Sequence, residues 1–289
     1  DRETTIIDGG GNGSVVVFES GEDISTILSK FKLINGSGTV PENSEDYCGG
    51  GIFINNLSSA QINNCIIASN NAQLGTAIYA YNSHALINNC IIENNVGTPE
   101  WYGNTIFSGW SELGIDSCSI SNNIGEGIYS YGSSSSYTNL TVNNNTGNPI
   151  RFMESDVVSN CRFIENGGPV TLWSGTLENC LISSSIGGGV EIWWDSSAEI
   201  INSIVITNNS YGISNYGEGV TVRNSIIQTN LSESIYNHFE TAYSIISYSN
   251  IQGGWEGEGN IDADPQFTDP ENGDFTLQSS SPCIDAGDP

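Results

Sequence analysis

A degenerate repeat of about 22 residues runs through most of this 289-residue chain. Its clearest unit is Asn-Cys followed by a short hydrophobic segment. The units read Asn64-Cys65-Ile66-Ile67, Asn89-Cys90-Ile91-Ile92, Ser117-Cys118-Ser119-Ile120, Asn160-Cys161-Arg162-Phe163 and Asn179-Cys180-Leu181-Ile182. Ser203, Ser225 and Ser244 continue the series, and Leu140 fills the slot between Cys118 and Cys161. The spacings run from 19 to 28 residues. A period of this length marks a solenoid, in which each unit buries its apolar face only by stacking on its neighbours.

The units are built from strands. Each holds Ile-, Val- or Tyr-rich segments of three to five residues, separated by Gly, Asn and Ser. No segment shows the 3.6-residue apolar spacing of a long amphipathic helix. Three short strands and three turns fit one coil of a parallel β-helix, in which equivalent side chains stack about 4.8 Å apart. Two inward ladders are expected. One is Ile52, Ile78, Ile106, Ile128, Ile150, Val170, Val190, Ile213 and Ile235; the other runs from Cys65 through Ser225 to Ser244. Asn pairs such as Asn70-Asn71, Asn94-Asn95 and Asn122-Asn123 suit the corners, because Asn tolerates left-handed backbone angles.

The period is broken at Gly36–Tyr47 and Thr98–Trp110, which read as excursions. It decays beyond Asn250 into a segment rich in Gly, Asp, Pro and Ser. The expected organisation is all-β: a solenoid of about ten coils over residues 1–250, and a capping segment over 251–289 packed on the last coil.

With 33 acidic and 6 basic residues, the formal charge is −27. That balance argues against nucleic acid, whose binding needs Lys and Arg to neutralise phosphates. No apolar run is long enough to span a membrane, so no membrane insertion is expected. The Ser/Thr/Asn/Gly-rich, Lys-poor composition suggests an extracellular or cell-surface protein, with further domains of a longer chain as possible partners. Five of seven cysteines fall in the inward ladder, where they serve as small buried hydrophobes.

Ile7-Asp8-Gly9-Gly10-Gly11, Gly49-Gly50-Gly51-Ile52-Phe53, the Ile-Asn-Asn-Cys units at 62–65 and 87–90, and the tail Asn260-Ile261-Asp262-Ala263-Asp264-Pro265 carry a resemblance. The chain resembles the bacterial and archaeal secreted proteins with right-handed parallel β-helix repeats, in the pectate-lyase-like superfamily. The resemblance implies a right-handed coil and specifies chemistry weakly. Lyases of the superfamily use a Lys or Arg base and commonly Ca²⁺. Here Lys30 and Lys32 sit on the first coil, and the arginines are Arg2, Arg151, Arg162 and Arg223, so no lyase base is assigned. The paired aspartates of β-helix galacturonidases also have no counterpart.

Strand alternation turns one face into an aromatic surface. One outward row is Phe53, Tyr79, Phe107, Tyr129, Arg151, Thr171, Glu191, Ser214 and Tyr236. A second is Asn55, Tyr81, Gly109, Tyr131, Met153, Trp173, Trp193, Tyr216 and His238. Exposed aromatic stripes mark binding surfaces, and ring faces suit sugars. Tyr79, Tyr81, Tyr129, Tyr131, Trp173, Trp193 and Tyr216 are therefore candidate substrate-binding residues for a polysaccharide. The competing reading is structural stacking, or cover by loops.

Arg151, Glu154, Asp156, Glu191 and Asp195 lie mid-stripe as catalytic candidates, since two carboxyls roughly 5–9 Å apart can cleave a glycosidic bond. Arg151 could pair a substrate anion. Ca²⁺ is the one cofactor the acidic tail suggests, through Asp262, Asp264, Asp269, Glu271 and Asp274. Ordinary Asx turns compete with that assignment. The expected function is polysaccharide binding, or glycosidic-bond cleavage by a hydrolase or lyase. The alternative is a structural or adhesive segment of a larger surface protein.

Overall fold

The computed structural model describes residues 1–42, 44–97, 103–132, 135–154, 156–193 and 197–288. Among them, short strands assemble into three long parallel sheets of eleven, ten and ten strands. Each turn of chain adds one strand to each sheet, which is a parallel β-helix of about ten coils. The first sheet runs from Ile6–Asp8 to Asn250–Ile251, the second from Val16–Phe18 to Ile235–Asn237, and the third from Ile27–Ser29 to Tyr243–Ser247.

The Asn-Cys motif has a local physical cause. Asn64, Asn89, Asn139, Asn160, Asn179, Asn202 and Asn224 adopt positive φ between 52° and 57°. Asn accepts this left-handed conformation at low cost, and it turns the chain from the third sheet into the first. The next side chain then points inward. Cys65, Cys90, Cys118, Leu140, Cys161, Cys180, Ser203 and Ser225 are all buried. The thiols also serve the backbone: Cys65 N–H donates to Cys90 Sγ at 3.4 Å, and Cys90 N–H to Cys118 Sγ at 3.3 Å. All seven cysteines are free thiols.

One member of this ladder differs from expectation. Ser225 N–H donates to Ser249 Oγ, 24 residues on, whereas Ser244 pairs with Val220 in the third sheet. The last coil is therefore longer than the Ser244 alignment implied.

The following corner is held by buried asparagines. Asn70 Nδ2 donates to Asn95 Oδ1 (3.1 Å), Asn95 to Asn123 (3.1 Å), Asn123 to Asn145 (2.9 Å) and Asn145 to Asn166 (3.1 Å). Asn208 and Asn230 repeat the bond at 3.0 Å. These amides are almost fully buried, and each also donates to a backbone carbonyl of the preceding coil, as Asn123 does to Ile92. The ladder satisfies corner backbone groups that a solenoid would otherwise bury unpaired.

The second sheet carries the outward rows. Its inward ladder pairs Ile52 with Ile78, Ile78 with Ile106 and Ile106 with Ile128, and every member from Ile52 to Ile235 is buried. Residues one place along, Phe53 to Tyr79 to Phe107 to Tyr129 and Arg151, face outward in matching register.

Beyond Ile251, Trp255 packs against the end of the core. Ile261 bridges Asn250, and Asn250 Nδ2 donates to the Ala263 carbonyl at 2.8 Å. The tail then turns back along the first sheet. Its antiparallel hairpin, Phe267–Asp269 with Asp274–Leu277, seats Phe267 against Leu181 and Ile206. It thus closes the last coil and also roofs the flank of earlier ones.

Candidate functional site

The aromatic face divides into two stacked ladders with a gap between them. In the first ladder, Phe53 stacks on Tyr79 at 5.4 Å and Tyr79 on Phe107 at 4.9 Å, each with planes 5° apart; Tyr129 follows at 5.8 Å. Phe53, Tyr79 and Phe107 are buried, with Cys48 and Leu74 packed against them. Gly109 belongs to the same arrangement. A Cβ there would meet the rings of Phe107, Tyr81 and Tyr131 at 3.0 Å, so glycine lets the two tyrosines close around it. Tyr79 is therefore a packing residue, while Tyr81, Tyr129 and Tyr131 stay partly exposed. An open groove of about 810 Å³ flanks this end, lined by residues including Glu19, Glu42, Asn55, Asn56, Tyr81 and Asn82.

In the second ladder, Trp193 stacks on Tyr216 at 5.2 Å and Tyr216 on His238 at 3.5 Å. Tyr211 stacks on Tyr236 at 4.9 Å beside them. His238 Nε2 lies 2.8 Å from Ser214 Oγ, and burial of the ring lowers its pKa, favouring neutral imidazole. Rings stacked along the solenoid axis cover one another's faces and leave their edges outward. Faces become available where the stacking stops.

It stops between the ladders. Three consecutive coils place Arg151, Thr171 and Glu191 in one row and Met153, Trp173 and Trp193 in the other. Trp173 is half-buried and makes no ring contact with another described aromatic residue. Trp193 Nε1 donates to Glu191 Oε2 at 3.0 Å. Burial raises the Glu191 pKa, and the indole hydrogen bond and the Arg151 charge oppose that rise. Asn148 Nδ2 donates to Thr171 Oγ1 at 2.8 Å, and the Tyr129 hydroxyl reaches Met153 Sδ at 3.7 Å.

Arg151 is paired. Its Nη2 meets Glu126 Oε1 at 2.5 Å, with the Glu126 side chain 9 % exposed and that of Arg151 25 % exposed. Burial pushes the Glu126 carboxyl up to about 7, against the lowering effect of the guanidinium. Glu126 sits two residues before Ile128, at the start of the strand Glu126–Tyr131, a place from which side chains reach the outward row of the next coil. Asn148 to Thr171 and Tyr211 to Tyr236 repeat this relation. The sequence alignment began at Ile128 and so missed Glu126; extending it two residues toward the N-terminus would have shown an acid in line with Asn104 and Asn148.

The remaining candidates are dispersed. Asp156, expected on the outward stripe, is fully buried at the corner leading to the third sheet. Its Oδ1 accepts from Ser135 N–H at 2.6 Å, and burial raises its pKa to about 7. The strand ends at Phe152, so outward alternation no longer applies at Asp156. Glu154 is exposed. Asp195 lies outside the described residues. In the tail, Asp262, Asp264, Asp269, Glu271 and Asp274 are all exposed. Asp264 accepts from Gln266 N–H, Asp269 from the Asn272 amide, and Asp274 from Thr276. Among the described residues, no three His, Cys, Asp or Glu side chains form a metal-holding group.

Strand topology and sequence agree on the class. The chain belongs to the family described as right handed beta helix region, whose model matches residues 33–176 and 106–257. Among solved structures it is similar to the periplasmic alginate epimerase AlgG, with a TM-score of 0.65 and 12% sequence identity. The similarity covers 78% of this chain and 59% of that one, and at this identity it shows the fold. Comparison with curated proteins finds no match.

Proposed function

We propose that the gap between the two aromatic ladders binds a polysaccharide chain outside the cell or at its surface. The observation that carries this reading is the Trp173 indole, which stacks on no other described aromatic ring. It directly follows the strand Val170–Leu172, one coil before Trp193, which follows Val190–Ile192, within coils that also present the polar groups of Glu191, Thr171 and Arg151. A ring face of this kind takes the apolar face of a sugar, while adjacent amides and carboxyls take its hydroxyls. A structure of the same fold, AlgG, is described as an alginate epimerase, so the scaffold is compatible with a polysaccharide role.

The electrostatics favour a neutral polymer. Arg151 already pairs with Glu126, and the chain carries a formal charge of −27. An anionic glycan would meet that field with its nearest guanidinium engaged.

Cleavage, if it occurs, falls to Glu191 as general acid, because burial keeps its carboxyl protonated to higher pH than an exposed glutamate. Glu126 is a poor second carboxyl for it: its strand lies three coils from that of Glu191, or about 14 Å between backbones, and its carboxylate is held by Arg151. The structural or adhesive alternative is favoured by the first ladder, where Phe53, Tyr79 and Phe107 are buried against one another. A panel of neutral and uronate-rich polysaccharides, assayed for retention and for released product, separates these readings. Retention without product supports binding, product release supports an enzyme, and neither supports the structural reading.

A further inference from the structure

Around the corner from this face, one aromatic residue contradicts both its backbone and its environment. Trp110 follows the strand Asn104–Gly109 and has φ of 50°, in the left-handed region. The equivalent corner positions in the neighbouring coils are Asn82 (φ 48°) and Gly132 (φ 74°), residue types that accept this conformation readily. A bulky residue there is a conformational outlier. Core packing does not explain it, since Trp110 is 59% exposed. Leu57, two coils earlier, repeats the anomaly with φ of 61° and 72% exposure.

Both residues line one shallow, open depression of about 250 Å³, together with Ser59, Asn82, Ser83, His84 and Glu112. The Trp110 ring lies over Gly132 on its far side, where an added Cβ would sit 2.6 Å from the indole. Tyr131 meets it edge-on at 5.9 Å. Trp110 also lines the depression that Leu57 and Asn82 of the preceding coils share. Across the pocket, His84 Nδ1 and Glu112 Oε2 stand 3.6 Å apart on paired strands, both substantially exposed. The site thus combines an apolar indole face, an amide, two hydroxyls and a carboxylate-imidazole pair. Its volume falls below the roughly 300–1,000 Å³ of sites that enclose drug-sized ligands, which suits a single ring.

We infer that this corner pocket is a second carbohydrate site, separate from the Trp173–Trp193 gap, which holds one neutral pyranose unit against Trp110. The class of ligand rests on the polysaccharide reading above; the site itself rests on Trp110, Leu57 and the pocket. Charge again selects: Glu112 disfavours a uronate, and the ring hydroxyls of a neutral sugar can both donate to it and accept from His84.

Saturation-transfer NMR with methyl β-glucopyranoside, methyl β-galactopyranoside and methyl α-mannopyranoside tests the inference on the full chain. Transfer to at least one glycoside is expected from the wild type and from the Trp173→Ala/Trp193→Ala variant. It is expected to vanish when Trp110→Asn is added to that double variant, which removes the gap's own contribution, with the thermal midpoint within about 2 °C of the double variant, because Asn favours the left-handed corner and offsets the lost ring contacts. Absence of transfer from the wild type or the double variant overturns the inference, and so does unchanged transfer when Trp110→Asn is added to the double variant. A lower midpoint in that triple variant with transfer intact makes the ring structural and also overturns it. Polysaccharide retention, measured separately, reports on the gap and not on this pocket.

Discussion

Arg151 and Glu126 form an ion pair across adjacent coils, with the carboxylate almost buried and the guanidinium a quarter exposed. Removing the cation leaves a buried carboxylate with no countercharge from this residue. Arg151→Ala is expected to destabilise the fold by about 2 kcal/mol at pH 8, below the roughly 3–5 kcal/mol of fully buried pairs because Arg151 is partly solvated. The loss should shrink at pH 5, where Glu126, with a pKa near 7 in the intact pair, is protonated. Urea denaturation at the two pH values checks this; equal losses at both would count against it.

Asp156 sets a second pH dependence. Its folded pKa of about 7 exceeds the ordinary 3.8, so between those values the folded chain holds a proton that the unfolded chain releases. Stability must therefore fall as pH rises from about 4 to about 7. Glu126 works in the same direction from 4.5 to about 7. The thermal midpoint is expected to be higher at pH 5 than at pH 8. Asp156→Asn should flatten the profile and narrow that difference in high salt, where surface repulsion is screened. A midpoint that rises with pH across this window would contradict the assignment.

The asparagine ladder has a defect at Ser185. Its neighbours in the column are Asn166 and Asn208, and its buried hydroxyl has no hydrogen-bond partner among the described residues. Ser185→Asn should supply an amide in line with the others and stabilise the protein by about 1 kcal/mol. Asn123→Ala should do the reverse, by about 3 kcal/mol, since it strips the partners of Asn95 and Asn145 together. Chemical denaturation midpoints decide both.

Much of this fold is legible in the sequence because it is enforced coil by coil. The Cys65-to-Ser225 series and the Ile52-to-Ile235 series both land inside, since a left-handed residue, Asn everywhere but at Ser117, fixes where the coils of the Cys65-to-Ser225 series turn. Ser249 was missed because Ser244-Ile245-Ile246 imitates the repeat five residues early, and only pairing with Val220 reveals that it belongs to another sheet. The site was less legible. Alternation assigns a side chain to the outside without saying whether its ring face is open, so Tyr79 and Trp173 look alike in sequence yet differ in burial. Asp156 and Trp110 sit at corners, where alternation gives way to turn geometry.

Cys65, Cys90, Cys118, Cys161 and Cys180 are buried along the core. They are expected to resist a bulky thiol reagent in the native state and to react together on unfolding. Rapid native modification of any of them would show that the coils open locally there.

Binding at the gap is tested most directly by titrating Trp173→Ala/Trp193→Ala beside wild type with a retained neutral polysaccharide, followed by intrinsic fluorescence. The double variant should bind at least tenfold more weakly, about 1.4 kcal/mol, with circular dichroism and thermal midpoint close to wild type. Unchanged affinity in a folded double variant would contradict the placement of the polysaccharide on Trp173 and Trp193.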